Sequence, residues 1–314
     1  MYILVIKQLV IMLIIAASGF LVTKKFNFGV KEQQYVSKTL VYFINPCLIF
    51  SHFNMDFDPD RLMRLGFASV LGFVLHVVLV ITALIFVRSK SEEGKELDCL
   101  DKLSVVFTNC GFIGIPLIQG VFPDNNDAVF YLLGSILMFN IFLWTFGYMI
   151  VCGKINLKKL ITNPNIIAIV AGLIIFILPV KLPEVISKSI SHIASMNTAT
   201  AMVLLGMLFA NFNSFKGEYF GRIIKLCVLR NFLSAIVCFP FVYGAFRLFN
   251  NVKDIHTICY VAFIAALCPV GMSVSSFAVI FNKDESYSSL AVLATSALCV
   301  ISLPLSIVVA NLIF

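Results

Sequence analysis

The stretch Asn109 to Leu117, NCGFIGIPL, sets an amide, two glycines and a proline in the middle of a segment apolar enough to span a bilayer. Pro116 has no N–H to give to the preceding turn, and Gly111 and Gly114 weaken a helix on either side. In lipid every backbone N–H and C=O must be satisfied internally, so irregular backbone at membrane depth is tolerated only where it is buried in protein or lines a cavity. Transporters place substrate sites at such breaks.

The rest of the chain is consistent with a membrane setting. It has 314 residues, of which 60% are hydrophobic and 12% charged, and its mean hydropathy is +1.00. Those values lie far outside ordinary soluble composition and predict an all-α polytopic membrane protein. The formal net charge of +7 does not point to nucleic acid, because the Lys and Arg are scattered through short loops and lack the clustering of a basic groove. The nine cysteines sit singly, mostly in apolar runs, with no CxxC pair and no His at metal-ligand spacing. They read as small packing residues, and neither a metal nor a cofactor is implied.

Hydropathy predicts ten spans, at about 3–22, 36–53, 64–87, 103–122, 128–151, 165–180, 193–212, 231–249, 257–280 and 287–313. The first has the apolar length of a retained span, not a signal peptide, and a basic far flank at Lys24 and Lys25. The stretches 54–63 and 88–102 are charged, lack apolar periodicity and read as loops. Sixteen of the 23 Lys and Arg fall in loops after odd-numbered spans or on their flanks, and seven on the opposite side. By the positive-inside rule both termini are then extracellular in a multi-pass plasma-membrane protein.

A basic linker at 153–164 divides the chain near its midpoint into 1–152 and 165–314, with five expected spans on either side. Five is odd, so two similar halves would be inverted relative to one another. The fourth span of the second half carries CPVGMSVSSFA, Cys268 to Ala278, which matches NCGFIGIPL as a Pro and Gly interruption at a corresponding position. That pairing is the sequence pointer to an inverted-repeat transporter.

At the first break, Pro116 predicts a new half-helix beginning near Gly114 to Pro116, with unpaired N–H groups facing the break. At the second, a half-helix is expected near Ser273, after Pro269 and Gly271, with Ser273, Ser275 and Ser276 available as caps. Helix N-termini attract anions. One charge at the bilayer centre costs about 2.5 to 3.5 kcal/mol, whereas one helix terminus returns about 0.3 to 1, and up to about 2 when partly buried. Hydrogen bonds to the charged group, at about 1.5 to 3 kcal/mol each, close the gap, and Asn109 is the side chain in the first break able to donate them. It also fits a purely structural role, bonding the backbone freed by its neighbours. Asn45 beside Pro46, and Asn197 with Thr198 and Thr200, occupy matching places in the two halves and could line the same cavity.

All sixteen Asp and Glu fall in expected loops or at span ends, so a carboxylate proton relay or sodium cage has no material. His76, midway along the third span, is the titratable group inside the membrane besides cysteines. It fits a proton shuttle or a hydrogen-bonded neutral histidine. Lys7 and Arg230 read as snorkelling residues near span ends. HExxH, GxSxG and an intramembrane aspartyl pair are absent, and Glu92 with Glu93 reads as a solvated face, so an enzyme is not expected. A channel stays open as an alternative, because broken half-helices also build pores.

NCGFIGIPL resembles the N-x-G-F-x-G-x-P-L signature of the auxin efflux carrier family. INPCLIF, Ile44 to Phe50, is similar to that family's proline-containing second span, and the chain from Pro269 through FNKDESYSSLAVLATSALCVISLPL, Phe281 to Leu305, to its last two spans. The resemblance implies two inverted five-helix repeats with broken helices four and nine crossing at the substrate site. It places Asn109, Gly114 and Pro116 on the first crossing, and Pro269 with Ser273 on the second. It further implies alternating-access transport of small organic acid anions, malate- or malonate-like carboxylates or auxin-like acids, with spans one, two, six and seven as scaffold. A proton-coupled symporter of another substrate class is the alternative, and a homodimer is left open. Two departures, a Ser at 273 where many bacterial members have Asn and the lack of a long central hydrophilic loop, point away from auxin itself.

Overall fold

In the computed structural model, which describes residues 2–89, 92–153, 155, 157–178, 182–212 and 217–313, the chain is helical apart from short connections. Lys90, Lys154, Lys181 and Lys216 of the basic count, and the end of the expected span 165–180, lie outside the described residues, as do the side chains of Glu92 and Glu93. Six described helices are long and apolar enough to cross a membrane: Ile3–Phe26, Pro59–Phe86, Asp127–Cys152, Glu184–Asn211, Gly217–Leu248 and Glu285–Asn311. Cys110–Val121, Pro164–Ile177 and Ile255–Leu267 are shorter apolar helices.

Local chemistry sets where these helices begin. Asp58 accepts from the Asp60 N–H at 2.9 Å with Pro59 in the first turn. Asn163 accepts from Asn165 and Ile166 ahead of Pro164 in the same way. Pro loses nothing there, since first-turn N–H groups have no helical partner. Inside the helices, π-helical turns at Leu40–Ile44 and Cys110–Gly114 each precede a proline, Pro46 and Pro116. A proline cannot serve the carbonyl four residues back, and the widened turn accommodates that loss without ending the helix.

The helix faces carry the membrane signature. Along Ile3–Phe26, Val5, Leu9, Met12 and Ala16 are buried at helical spacing while Ile6, Leu13, Ile14 and Leu21 are exposed. An apolar residue on both faces suits a helix with protein on one side and lipid on the other. Helices then approach through small residues, which give close backbone packing where lipid supplies no hydrophobic drive. A methyl added at Gly206 would stand 2.0 Å from the Ala16 carbonyl oxygen, and one at Gly19 2.7 Å from the Val203 backbone. Gly206→Ala is therefore expected to cost about 1 to 3 kcal/mol through overpacking. Gly221→Ala, with nothing within 4 Å of the added methyl, should change stability by no more than about 0.5 kcal/mol. Melting curves of the two purified variants beside wild type check this.

The helices sort into two packing groups. Ile3–Phe26 packs along Asn197–Asn211, and Asn45–Ser51 along Pro164–Ile177 and Glu184–Ser195. The second group joins Pro59–Phe86, Asn126–Phe142, Ser234–Leu248 and Ile255–Leu267, with Met272–Ile280 against Glu285–Ile313. The segment Cys110–Val121 lies on the boundary, against Ile3–Phe26 and Asn197–Asn211 of the first group and against Asn126–Phe142 and Ile255–Leu267 of the second.

Two expectations are overturned here. The stretch 88–102 is not a solvated loop: Glu92–Val106 is helical, and Asp98 and Asp101 are buried in it. The span expected at 231–249 begins at Gly217, so Arg230 lies inside it.

Candidate functional site

The two interrupted helices meet at their breaks. Glu92–Val106 gives way to extended Phe107–Asn109 before Cys110–Val121, and Ile255–Leu267 gives way to Cys268–Gly271 before Met272–Ile280. The extended pieces pair as a short antiparallel bridge between Thr108 and Val270. The Asn109 N–H donates to the Pro269 carbonyl at 2.8 Å, and the Gly271 N–H to the Phe107 carbonyl at 2.9 Å. The Val270 N–H donates to Thr295 Oγ1 at 3.1 Å. Backbone groups released by each break are thus satisfied chiefly by the other, as burial requires. Gly271 is demanded by this contact, since a methyl there would stand 2.7 Å from the Thr108 carbonyl oxygen. Gly114 has contact with both strands of the crossing, its absent side chain facing Cys110 and the Cys268 thiol at 3.4 Å.

Asn109 occupies the cap position of the helix that starts at Cys110, yet its side chain makes no capping bond. Its Nδ2 is buried without a hydrogen-bond partner. An Asn at this position ordinarily accepts from the first turn, so the amide is left for something else. Asn45 Oδ1, both polar atoms of the Asn197 side chain, Ser273 Oγ and Ser275 Oγ are likewise buried and unpartnered. The Asn45 Nδ2 lies 3.8 Å from where a Gly111 side chain would begin, and Ser273 Oγ 3.0 Å from where one on Gly271 would. Asn45 and Asn197 belong to the first packing group and Asn109 and Ser273 to the second, so the orphaned groups stand on both sides of the boundary. Leaving a buried polar group unsatisfied costs about 1 to 3 kcal/mol, so such a concentration calls for a ligand or water.

The structure corrects several details. The first half-helix starts at Cys110, not near Gly114 to Pro116; the widened turn absorbs Pro116, which is buried inside the helix. The second starts at Met272 with Gly271 at its cap and no serine capping it. Ser276 Oγ instead donates back to the Met272 carbonyl at 3.2 Å. Two residues at 100° each place Ser275 on nearly the opposite face from Ser273, so Ser275 is not brought to the break.

His76 lies against the crossing from the side. Its Nδ1 is 2.8 Å from the Gly72 carbonyl oxygen; a carbonyl only accepts, so Nδ1 carries the proton and, in the neutral ring, Nε2 presents its lone pair. Nε2 and Ser135 Oγ are buried without partners. Both residues line a cavity of about 10 Å³ shared with Thr108 and Cys110, room for about one water.

The largest omission of the sequence reading is Arg230. It is 0% exposed and snorkels nowhere. Nη1 donates to the Val105 carbonyl at 2.7 Å, Nε and Nη2 to the Cys268 carbonyl at 3.0 and 2.8 Å, and Nη2 also to the Ala266 carbonyl. Those carbonyls end the first halves of both interrupted helices. A second omission sits farther along the first of them. Arg222 pairs with Asp98 and Asp101 at 2.6 Å each, Ser89 bonds Asp98 through N–H and Oγ, and Tyr287 donates to Asp101. Burial alone would push the Asp98 carboxyl up, but the bonds from Ser89 and Arg222 outweigh it and hold it below the usual carboxylate range. The signal for Arg230 was the apolar sequence on both sides of it, from Leu226 to Leu229 and from Phe232 onward.

Six bilayer-length helices, two helices interrupted and paired in the protein interior, and unpartnered polar groups near the pairing define a multi-pass membrane transport protein. The family model described as membrane transport protein matches residues 4–155 and again 149–307, and the chain belongs to that family, the auxin efflux carriers. No curated protein sequence matches it.

Proposed function

We propose that the chain is a secondary carrier that moves small organic acid anions, malate- or malonate-like carboxylates or auxin-like acids, across the plasma membrane by alternating access. The observation that carries this reading is the set of buried, unpartnered amides and hydroxyl on the helices of the two packing groups: Asn45, beside Gly111 of the crossing, and Asn197 in the first group, Asn109 and Ser273 at the breaks in the second. An anion held between the groups is released when they shift, and the first group, the expected scaffold of spans one, two, six and seven, is the natural fixed part. The helix N-termini at Cys110 and Met272 favour negative charge. Gly111, Gly114, Pro116, Pro269 and Gly271 shape the backbone that holds this site.

The fold we infer is ten crossings in two inverted five-helix repeats, 1–152 and 165–314, joined by the linker 153–164. Two successive family matches, overlapping only at 149–155, support two comparable halves. A thermal-shift screen of purified protein against mono- and dicarboxylates tests the function, because a ligand that binds only the folded form raises the melting temperature by mass action. A concentration-dependent rise with at least one carboxylate is expected; no rise across the panel would count against the reading.

In this topology both termini are extracellular. In a variant whose native cysteines are replaced, a membrane-impermeant label outside should reach a cysteine placed at Asp58 or Asn125 and miss one at Lys158. The reverse pattern would invert the orientation.

A proton-coupled symporter is the second reading, favoured by the unpartnered His76 Nε2 at the small cavity beside the crossing. In proteoliposomes His76→Gln should leave substrate exchange intact and, if protons are coupled, abolish only accumulation driven by a pH gradient. Loss of exchange with an unchanged melting curve would instead place His76 in the binding site or its gate.

A further inference from the structure

We infer that Arg230 makes the crossing selective for anions, by covering the carbonyl ends of both interrupted helices and leaving a net positive charge for the substrate to offset. Each break exposes two opposite helix ends. The C-termini of Glu92–Val106 and Ile255–Leu267 present carbonyls, equivalent to about half a negative charge each, and the N-termini at Cys110 and Met272 about half a positive charge each. Left alone, the four ends meet at one place and their fields largely cancel, so a break by itself has no preference for the sign of a ligand.

Arg230 removes that cancellation. Its guanidinium bonds the Val105, Ala266 and Cys268 carbonyls, which are the negative ends, and among the described residues no side chain caps the positive ones at Asn109 and Gly271. Among the described residues it forms no ion pair with any carboxylate. The thiols of Cys110, Cys238, Cys268 and Cys299 and the ring of His76 are among the titratable groups near it. The buried Arg64 and the half-buried Arg222 differ: Arg64 faces Asp58 and Asp254, and Arg222 faces Asp98 and Asp101. The charge on Arg230 is therefore carried into the apolar core with only carbonyl dipoles to balance it, and a carboxylate at the neighbouring N-termini completes the balance. Arg230 does not touch that carboxylate; it is a positioning and selectivity residue, and its role rests on the proposed anion site.

Paired probes of one shape and two charges test it: malonate against malonamide, and benzoate against benzamide, each titrated while the melting temperature of purified protein is followed. Wild type is expected to bind at least one carboxylate about tenfold or more tighter than its amide. Arg230→Lys keeps the charge and should keep the preference. Arg230→Gln should lose it, and because that variant also strips the carbonyls of their donor, a second pair isolates charge from structure. Cys299→Asp puts a carboxylate within reach of an intact Arg230 and should abolish the preference, while Cys299→Asn, of the same size without the charge, should retain it. A preference that survives in both Arg230→Gln and Cys299→Asp overturns this inference and leaves the anion carrier standing. A wild type that binds the amides as tightly as the carboxylates overturns the anion reading, and this inference with it.

Discussion

Asn109→Ala is expected to weaken substrate binding by about 1.5 to 3 kcal/mol, the worth of a hydrogen bond to a charged group, or about ten- to more than a hundredfold in affinity. The expectation rests on geometry: the Asn109 amide sits at a helix cap, makes no capping bond and leaves Nδ2 buried without a partner. Its backbone, by contrast, is fully used, the N–H on Pro269 and the carbonyl on the Ile113 and Gly114 N–H groups. Removing the side chain therefore leaves the bridge intact, and the melting temperature without ligand should change little. Asn109→Asp should bind more weakly than Asn109→Ala, because a fixed negative charge at the site repels the anion. Binding isotherms beside ligand-free melting curves separate the roles. Unchanged affinity with a sharply lowered melting temperature would make the amide a structural plug and send the search for the ligand to Asn45, Asn197 and Ser273.

The largest stability loss is expected at Arg222. Its guanidinium is the shared partner of Asp98 and Asp101 and also donates to Ser89 and the Gly94 carbonyl. All three charged side chains are largely buried, at 17%, 11% and 9% exposure. Arg222→Gln strands two carboxylates in that setting, which costs about 3 to 5 kcal/mol where a buried pair is broken from one side. Replacing both acids as well, Asp98→Asn and Asp101→Asn on the Arg222→Gln background, should recover most of the loss, since no unpaired charge then remains. The measurement is the melting temperature of the three proteins in one detergent. A single variant as stable as wild type, or a triple variant no better than the single, would show that the cluster does not tie the first interrupted helix to the helices holding Arg222 and Tyr287.

The breaks were legible in the sequence because their cause is local. Proline lacks a donor and glycine relaxes the backbone wherever they stand, so NCGFIGIPL and CPVGMSVSSFA mark the neighbourhood of the breaks, although the first break lies just upstream of its glycines and proline, at Phe107–Asn109. The helix start at Asp58–Pro59 is just as local, yet 54–63 reads as a loop because its charged residues hide the cap. What escaped is held by partners far along the chain. Arg230 meets carbonyls at 105, 266 and 268, and hydropathy treats a lone arginine as the end of a span, so it was assigned to the surface. Asp98 and Asp101 looked solvated because their cation, Arg222, lies more than a hundred residues away. The contact of Gly206 with Ala16 was hidden for another reason: glycine is common in membrane helices, and only the approach of a second backbone shows which glycine is required.

Counterflow tests the central claim most directly. Proteoliposomes loaded with an unlabelled carboxylate that raises the melting temperature are placed in a trace of the same compound carrying an isotope, and internal label is followed with time. A carrier whose loaded site alternates between the two faces should give a transient accumulation above equilibrium, saturating with internal concentration and lost in Asn109→Ala at low substrate. Uptake that only approaches equilibrium, rises linearly with concentration and is indifferent to the internal load would identify a pore and contradict the alternating site at the helix crossing.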